Sequence, residues 1–409
     1  MKVRTLSYAA LFVALYTLSY YVYHGLTHPV PLPGDSWDYH IPIAHTILSG
    51  VFLHPSGFRL PQWYYPGSSE AINALFILLR VPLTLSNVFA AVVFFFCLFK
   101  LGLVFRLRFF YSLLFALTGS TFNVIVRWLN AVSIDIWVGV FFILALILLE
   151  NPRKSSRYFL ALGFVLGMLI GSKYTGLLFI VSLFLFYGRS VWKVVSTKRF
   201  SLFMIPFSVF GLFWYLRNYL STGNPVFPTP VLGLPSKDVF GGMNVFNVMW
   251  THPSAMLDSA FAEYHMWVLA FVVGCAWLFY RFIIKQQREM DALIRLFLLG
   301  LLNLIFYLAF PTSEQSWIMV SSFRYSLPAF IPLVLGVFLL GQRYKKEEWI
   351  GYVTLGNMLI TLTLAYHPKL VFFYVPLGPS IIYWLEKHQG EEMPARISSS
   401  THKTAKSNS

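Results

Sequence analysis

The sequence predicts an all-α membrane protein that crosses the bilayer many times. Three observations carry that expectation. Hydrophobic residues make up 57% of the 409-residue chain and charged residues only 11%, whereas a soluble domain carries charge on about a quarter of its residues. Apolar segments of helical length recur along the chain. Basic residues gather between alternate segments, as they do in cytoplasmic loops.

The elements follow in order. Lys2 and Arg4 precede an apolar run over 6–23 that ends in Tyr20, Tyr21, Tyr23 and His24. A cleaved signal peptide would end in small residues, so the run reads as an uncleaved first helix with its N-terminus in the cytoplasm. Further spans are expected near 85–105, 109–126, 134–150, 158–172, 175–188, 201–217, 264–284, 292–310, 326–341, 349–366 and 370–386. That makes about twelve transmembrane helices, several shorter than the ~20 residues of a straight crossing. The segment 68–81 is too short and too mixed to cross, and reads as a partly immersed helix on the outer face.

The cations support an N-in/C-in topology. Clusters at Arg106/Arg108, Arg153/Lys154/Arg157, Arg189/Lys193/Lys198/Arg199, Arg281/Lys285/Arg288 and Arg343/Lys345/Lys346 all fall inside, and the outer loops hold scattered single cations. Residues 1–387 therefore read as one transmembrane catalytic domain, with outer loops at about 24–84 and 218–262. Residues 388–409 are polar and are expected to form a disordered cytoplasmic tail.

The net charge of +15 follows from this loop pattern, and no finger, RNP or zipper motif points to nucleic acid. Cys97 and Cys275 are the only cysteines and both lie in apolar segments, which argues against a disulfide framework or a thiolate metal site. No P-loop, H-E-x-x-H or G-x-S-x-G motif is present.

The most informative stretch is Gly34-Asp35-Ser36-Trp37-Asp38-Tyr39-His40-Ile41-Pro42, just after the first span. Acids at a membrane edge are functional candidates. Asp35 and Asp38, three apart, would share a helix face. They could serve as a general base or as oxygen ligands for a hard divalent cation, and Asp35 could equally N-cap a helix running to about Ser49. His40 reads either as a proton shuttle or as a satisfied polar residue. Glu70 falls in the first turn of the short outer helix, where the macrodipole alone favours an acid. Asp135 follows Arg127 closely enough for an ion pair between the two.

Lys173, Arg217 and Arg324 sit at the expected outer edge, where the positive-inside rule gives them no reason to be. They either snorkel to headgroups or clamp an anionic group, phosphate above all for the arginines.

Taken together, these residues resemble the GT-C superfamily of integral-membrane glycosyltransferases, in particular the prokaryotic members that use a polyprenyl-phosphate sugar. The anchor is Asp35-Ser36-Trp37-Asp38-Tyr39-His40-Ile41-Pro42, similar to the family's acid-x-x-x-Tyr-His-x-Pro run. Tyr65-Pro66 with Glu70, the Arg127–Asp135 junction, Lys173-Tyr174-Thr175, Arg217-Asn218 with Thr222-Gly223-Asn224-Pro225, and Arg324-Tyr325 with Pro328 support it.

The resemblance implies an inverting hexosyl- or pentosyltransferase of the cell envelope. It would move a sugar from a polyprenyl-phosphate carrier to a lipid, glycan or protein acceptor at the periplasmic or extracellular face of the plasma membrane. Asp35 would be the catalytic acid-loop carboxylate, with Asp38 and His40 beside it. Tyr39, Glu70, Arg127, Asp135, Lys173, Arg217, Asn218, Arg324 and Tyr325 would contact substrate, and a Mg or Mn ion on Asp35 and Asp38 is left open. The rival readings are a flippase for a lipid-linked glycan and an O-antigen polymerase or ligase.

Overall fold

A computed structural model describes residues 3–31, 34–55, 60–193, 195–231, 233–237, 243–285, 290–310, 312 and 321–364. The expected span at 370–386 and the tail 388–409 lie outside the described residues. Every regular element among them is helical.

The helices fall where the hydropathy pattern puts them. They are α1 (Val3–Thr27), α2 (Ile41–Ser49), α3 (Glu70–Leu78), α4 (Ser86–Val104), α5 (Phe109–Ser120), α6 (Asn123–Val126), α7 (Asp135–Glu150), α8 (Ser156–Ser172), α9 (Thr175–Trp192), α10 (Thr197–Phe207), α11 (Phe213–Thr222), α12 (Val245–Thr251), α13 (Pro253–Tyr264), α14 (Ala270–Phe279), α15 (Ala292–Leu308), α16 (Leu327–Arg343) and α17 (Glu347–Leu364). Five helical runs, Val3–Thr27, Leu83–Val104, Lys198–Thr222, Pro253–Ile284 and Phe323–Arg343, are long and apolar enough to cross a membrane, and four shorter apolar helices accompany them. The architecture is that of a helical protein compatible with many membrane crossings.

The bundle centres on α7. Twelve of its residues are buried, from Asp135 through Leu149, and it packs on α4, α8, α9 and α16. Between helices in lipid there is no hydrophobic driving force, so close approach depends on small residues. Gly163, Gly167 and Gly171 supply it on α8. A Cβ at Gly167 would sit 2.9 Å from the Pro206 carbonyl oxygen, and at Gly163 and Gly171 it would overlap the carbonyls of Phe203 and Phe210. This face holds the run formed by α10, a π-helical turn at Ser208–Leu212 and α11 against α8.

The described residues between α1 and α4 form short helices. Asp35 does not cap a helix reaching Ser49: its side chain makes no capping bond, and a π-helical turn, Ser36–His40, precedes α2. Helix α2 ends at Gly50, whose φ of +74° suits a residue without a Cβ. Helix α3 is short and leaves Leu75, Leu78 and Leu79 exposed. Before the expected span at 264–284 the boundary moves: α13 begins at Pro253 and runs, through a 3-10 turn at His265–Leu269, into α14. The expected span at 264–284 is thus the second half of a broken 32-residue helical run.

Candidate functional site

Four charged side chains from four separate elements meet at one end of α7. Asp35 lies at the start of the π turn and Asp135 at the start of α7. Lys173 joins α8 to α9, and Arg324 lies in a 3-10 turn, Phe323–Ser326, that leads into α16. Arg324 Nη2 donates to Asp35 Oδ2. Arg324 Nε pairs with Asp135 Oδ2 at 2.9 Å. Lys173 Nζ donates to Asp135 Oδ1 at 2.7 Å. The result is an alternating chain, Asp35–Arg324–Asp135–Lys173, with two positive and two negative charges.

The four members are not equally enclosed. Arg324 and Asp135 are each 4% exposed, whereas Asp35 is 36% and Lys173 21% exposed. Among the described residues Arg324 Nε and Asp135 Oδ2 meet as an ion contact without a hydrogen bond, and Arg324 Nη1 is buried with neither. A buried guanidinium donor is costly to leave unpaired. Aromatic rings wall the cluster. Arg324 lies against Trp128 and Tyr325, with ring centroids 4.9 and 5.2 Å from its Cζ, and Lys173 Nζ is 3.5 Å from the Tyr325 centroid.

Local bonds set these positions. Ser36 Oγ accepts from the Val132 amide at 3.0 Å, which docks the π turn beside the start of α7. Asn87 Nδ2 donates to the Trp128 carbonyl at 2.9 Å and to Ser133 Oγ at 3.0 Å. Burial alone would raise the Asp35 carboxyl, but Arg324, with smaller contributions from His40 and Lys173, outweighs it and holds the group below its ordinary value. Burial and then the Asp35 charge push the Tyr39 phenol well up.

A second polar chain lies behind the π turn. His40 Nδ1 bonds Glu70 Oε1, and both side chains are 1% exposed. Asn73 Nδ2 donates to Glu70 Oε2 at 2.6 Å, and Ser86 Oγ donates to Asn73 Oδ1 at 2.5 Å. Among the described residues His40 Nε2 has no hydrogen-bond partner. Glu70 is held in place from below: Ser68 N donates to the Gly171 carbonyl at 2.7 Å and Ser69 Oγ pairs with Ser172 Oγ at 2.5 Å.

The remaining expected residues are placed as follows. Arg127 does not pair with Asp135; it pairs with Glu263 of α13 at 2.8 Å, because Asp135 faces Lys173 and Arg324 instead. Arg217 and Asn218 are buried one layer away from Asp35. Arg217 Nη2 and Asn218 Nδ2 both donate to the Tyr64 carbonyl, at 2.7 and 2.8 Å, and Asn218 Nδ2 also reaches Tyr174 Oη at 2.6 Å. Tyr174 and Tyr65 meet edge to face at 5.8 Å, as do Tyr65 and Tyr39, so an aromatic ladder joins Arg217 to the π turn. Tyr325 lines the cluster directly. Asp38 is exposed and, among the described residues, takes no part in the ion pairs.

Of the two acids considered for a divalent cation, Asp35 is paired with Arg324 and Asp38 is exposed, and among the described residues no three His, Cys, Asp or Glu side chains gather in a metal-holding group. Sequence reasoning missed Glu263 and Trp128. Glu263 belongs to no motif; Trp128, beside Arg127 and stacked on Arg324, carried a signal only in being an aromatic next to a cation.

The fold and cluster define a helical, multi-pass-compatible protein with a charge-paired site at one end of its central helix. No family model matches the chain, and neither a curated protein nor a solved structure does.

Proposed function

We propose that the protein is a membrane glycosyltransferase of about twelve spans that takes its sugar from a polyprenyl-phosphate carrier at the extracytoplasmic face. One observation carries this reading: a buried guanidinium, Arg324, has one nitrogen, Nη1, with neither an ion pair nor a hydrogen bond among the described residues, next to a partly open carboxylate, Asp35, and in one ion-pair chain with a second cation, Lys173. Paired cations fit a phosphate, and an adjacent acid fits proton removal.

In the proposed reaction the acceptor oxygen attacks the anomeric carbon. The new C–O bond forms as the bond from that carbon to the phosphate oxygen breaks. Asp35 takes the hydroxyl proton, and the electron pair leaves on the carrier as polyprenyl monophosphate, held by Arg324 and Lys173. A single displacement inverts the anomeric centre. The general base contributes about 10²–10⁴-fold, and the fixed cations stabilise charge on the departing phosphate. No divalent cation is assigned a step. Arg217 acts by fixing the Tyr64 backbone rather than as the first phosphate contact.

The test is donor consumption. Purified protein in lipid nanodiscs, given radiolabelled polyprenyl-phosphate sugars and extracted envelope glycan, should release polyprenyl monophosphate, and Arg324→Gln should not. Release at the same rate by Arg324→Gln would sink the assignment.

A second reading has one feature in its favour. The helical run 253–284 breaks at His265, whose φ is +50°, and next to the break the buried Glu263 pairs with Arg127. Broken helices with buried ionisable groups suit a lipid-linked glycan transporter. That reading predicts movement of the lipid-linked sugar between leaflets with no sugar released.

A further inference from the structure

On the reading that a phosphate binds at Arg324, we propose that Asp35 holds the donor's place: the carrier phosphate displaces the Asp35 carboxylate from Arg324, and this displacement frees the base for the acceptor.

Three features of the cluster carry the proposal. The first is an asymmetry between the two acids. Asp135 is 4% exposed and takes both Lys173 Nζ at 2.7 Å and Arg324 Nε at 2.9 Å, so it is built in. Asp35 is 36% exposed, projects from a short turn rather than from a long helix, and among the described residues has Arg324 as its only ion-pair partner. It is the member that can leave.

The second is charge. With both acids in place, Asp35 and Asp135 cancel Arg324 and Lys173. A phosphodiester anion entering a neutral cluster gains little Coulomb energy. With Asp35 swung away, Asp135 still cancels one cation and one positive charge remains to attract a phosphate anion, the donor's diester or a monoester alike.

The third is the unpaired donor. Arg324 Nη1 is buried with no hydrogen-bond partner among the described residues, while Nη2 is held by Asp35. A phosphate at this end of the guanidinium would accept from Nη1 and Nη2 together, the bidentate geometry that Arg offers to phosphate. Asp35, with Tyr325 Oη at 3.2 Å, occupies only the Nη2 half of that fork.

The arrangement ties the two substrates together. While Asp35 is paired with Arg324 it is a poor proton acceptor, since the neighbouring cation stabilises its charged form. A phosphate on Arg324 removes that partner. The base therefore becomes competent only when donor is present, and the order is donor first, acceptor second.

The competition gives a binding prediction of unusual sign. Removing the Asp35 charge should tighten binding of the phosphate, because the site no longer has to be vacated, whereas removing the Asp135 charge should loosen it, because the two cations lose the group that fixes them. If the vacated state makes up about a tenth of the resting protein, the gain is about ten-fold. The experiment is equilibrium binding to the purified full chain in nanodiscs. Two probes, farnesyl monophosphate and inorganic phosphate, separate a lipid-linked ligand from a free anion, and thermal stability of each variant is measured alongside.

The expected result is that wild type binds farnesyl phosphate, Asp35→Asn binds it about ten-fold tighter, Asp135→Asn binds it more weakly, and inorganic phosphate follows the same order with lower affinity. Asp35→Ala serves as the second variant should Asp35→Asn prove unstable. Wild-type binding with equal or weaker binding by a folded Asp35→Asn or Asp35→Ala overturns the displacement proposal and leaves the phosphate site standing. Tighter binding of inorganic phosphate than of farnesyl phosphate overturns the lipid-linked ligand. Binding of neither probe by wild type or by Asp35→Asn overturns the phosphate reading itself, and the displacement with it.

Discussion

Arg324 controls the electrostatics of the site, since it touches both carboxylates and stacks on Trp128 and Tyr325. Lysine cannot replace it: an ammonium is a point charge without the planar fork that reaches two partners at once. Arg324→Lys should retain the fold and lose most donor turnover, seen as a raised donor KM with a smaller fall in kcat; an unchanged KM would mean that Arg324 does not meet the donor. Asp35 yields a pH prediction. Its carboxyl lies below the ordinary value of 3.8 in the folded protein. A depressed carboxyl stabilises the fold at every pH above its unfolded value and loses that contribution as pH falls through the folded one. The stability difference between wild type and Asp35→Asn should stay flat from about pH 8 to about pH 5 and change only on further acidification. A difference that already disappears between about pH 7 and pH 5 would show that Asp35 is not ion-paired.

At the scale of elements, two devices aim the site: the glycine face of α8 and the polar network of His40, Glu70, Asn73 and Ser86. Gly171→Ala would drive a Cβ into the Phe210 carbonyl and Ser68 Oγ. Overpacking against backbone costs about 1–3 kcal/mol or more, so the unfolding temperature should drop and the loop that carries Glu70 should loosen. Gly356→Ala, where a Cβ meets nothing within 4 Å, is the control and should be neutral or stabilising by up to about 1 kcal/mol. Arg217 and Asn218 hold the Tyr64 carbonyl. Arg217→Ala should increase hydrogen exchange across 64–67, and unchanged exchange there would return Arg217 to the role of a direct ligand.

The sequence made the helices legible because lipid exposure and burial both demand apolar residues, and that demand repeats at each span. It also made visible the charged residues that meet at the end of α7, Asp35, Asp135, Lys173 and Arg324, since a charge stands out against an apolar background. Pairing was not legible. Arg127 is eight residues before Asp135 in the chain, yet it pairs with Glu263, because α6 packs on α13 rather than folding back on α7. The π winding at Ser36–His40 was equally hidden: a five-residue turn leaves no period to read, so Asp35 looked like a cap and Asp38 like its neighbour. The glycine face, by contrast, was there to be found, as three glycines spaced by four between 163 and 171. A topology prediction belongs to the whole molecule. In a background without Cys97 and Cys275, Val51→Cys in the first loop should react with a membrane-impermeant maleimide on intact cells, and Lys345→Cys should react only after permeabilisation. The reverse pattern would put the site on the cytoplasmic face.

The most direct measurement is single-turnover sugar transfer by Asp35→Asn. Wild type should transfer labelled sugar from a polyprenyl-phosphate donor, and a folded, membrane-inserted Asp35→Asn should be slower by about 10²–10⁴-fold while still binding donor. A variant that turns over at the wild-type rate would contradict Asp35 as the base and remove the centre of the proposed site.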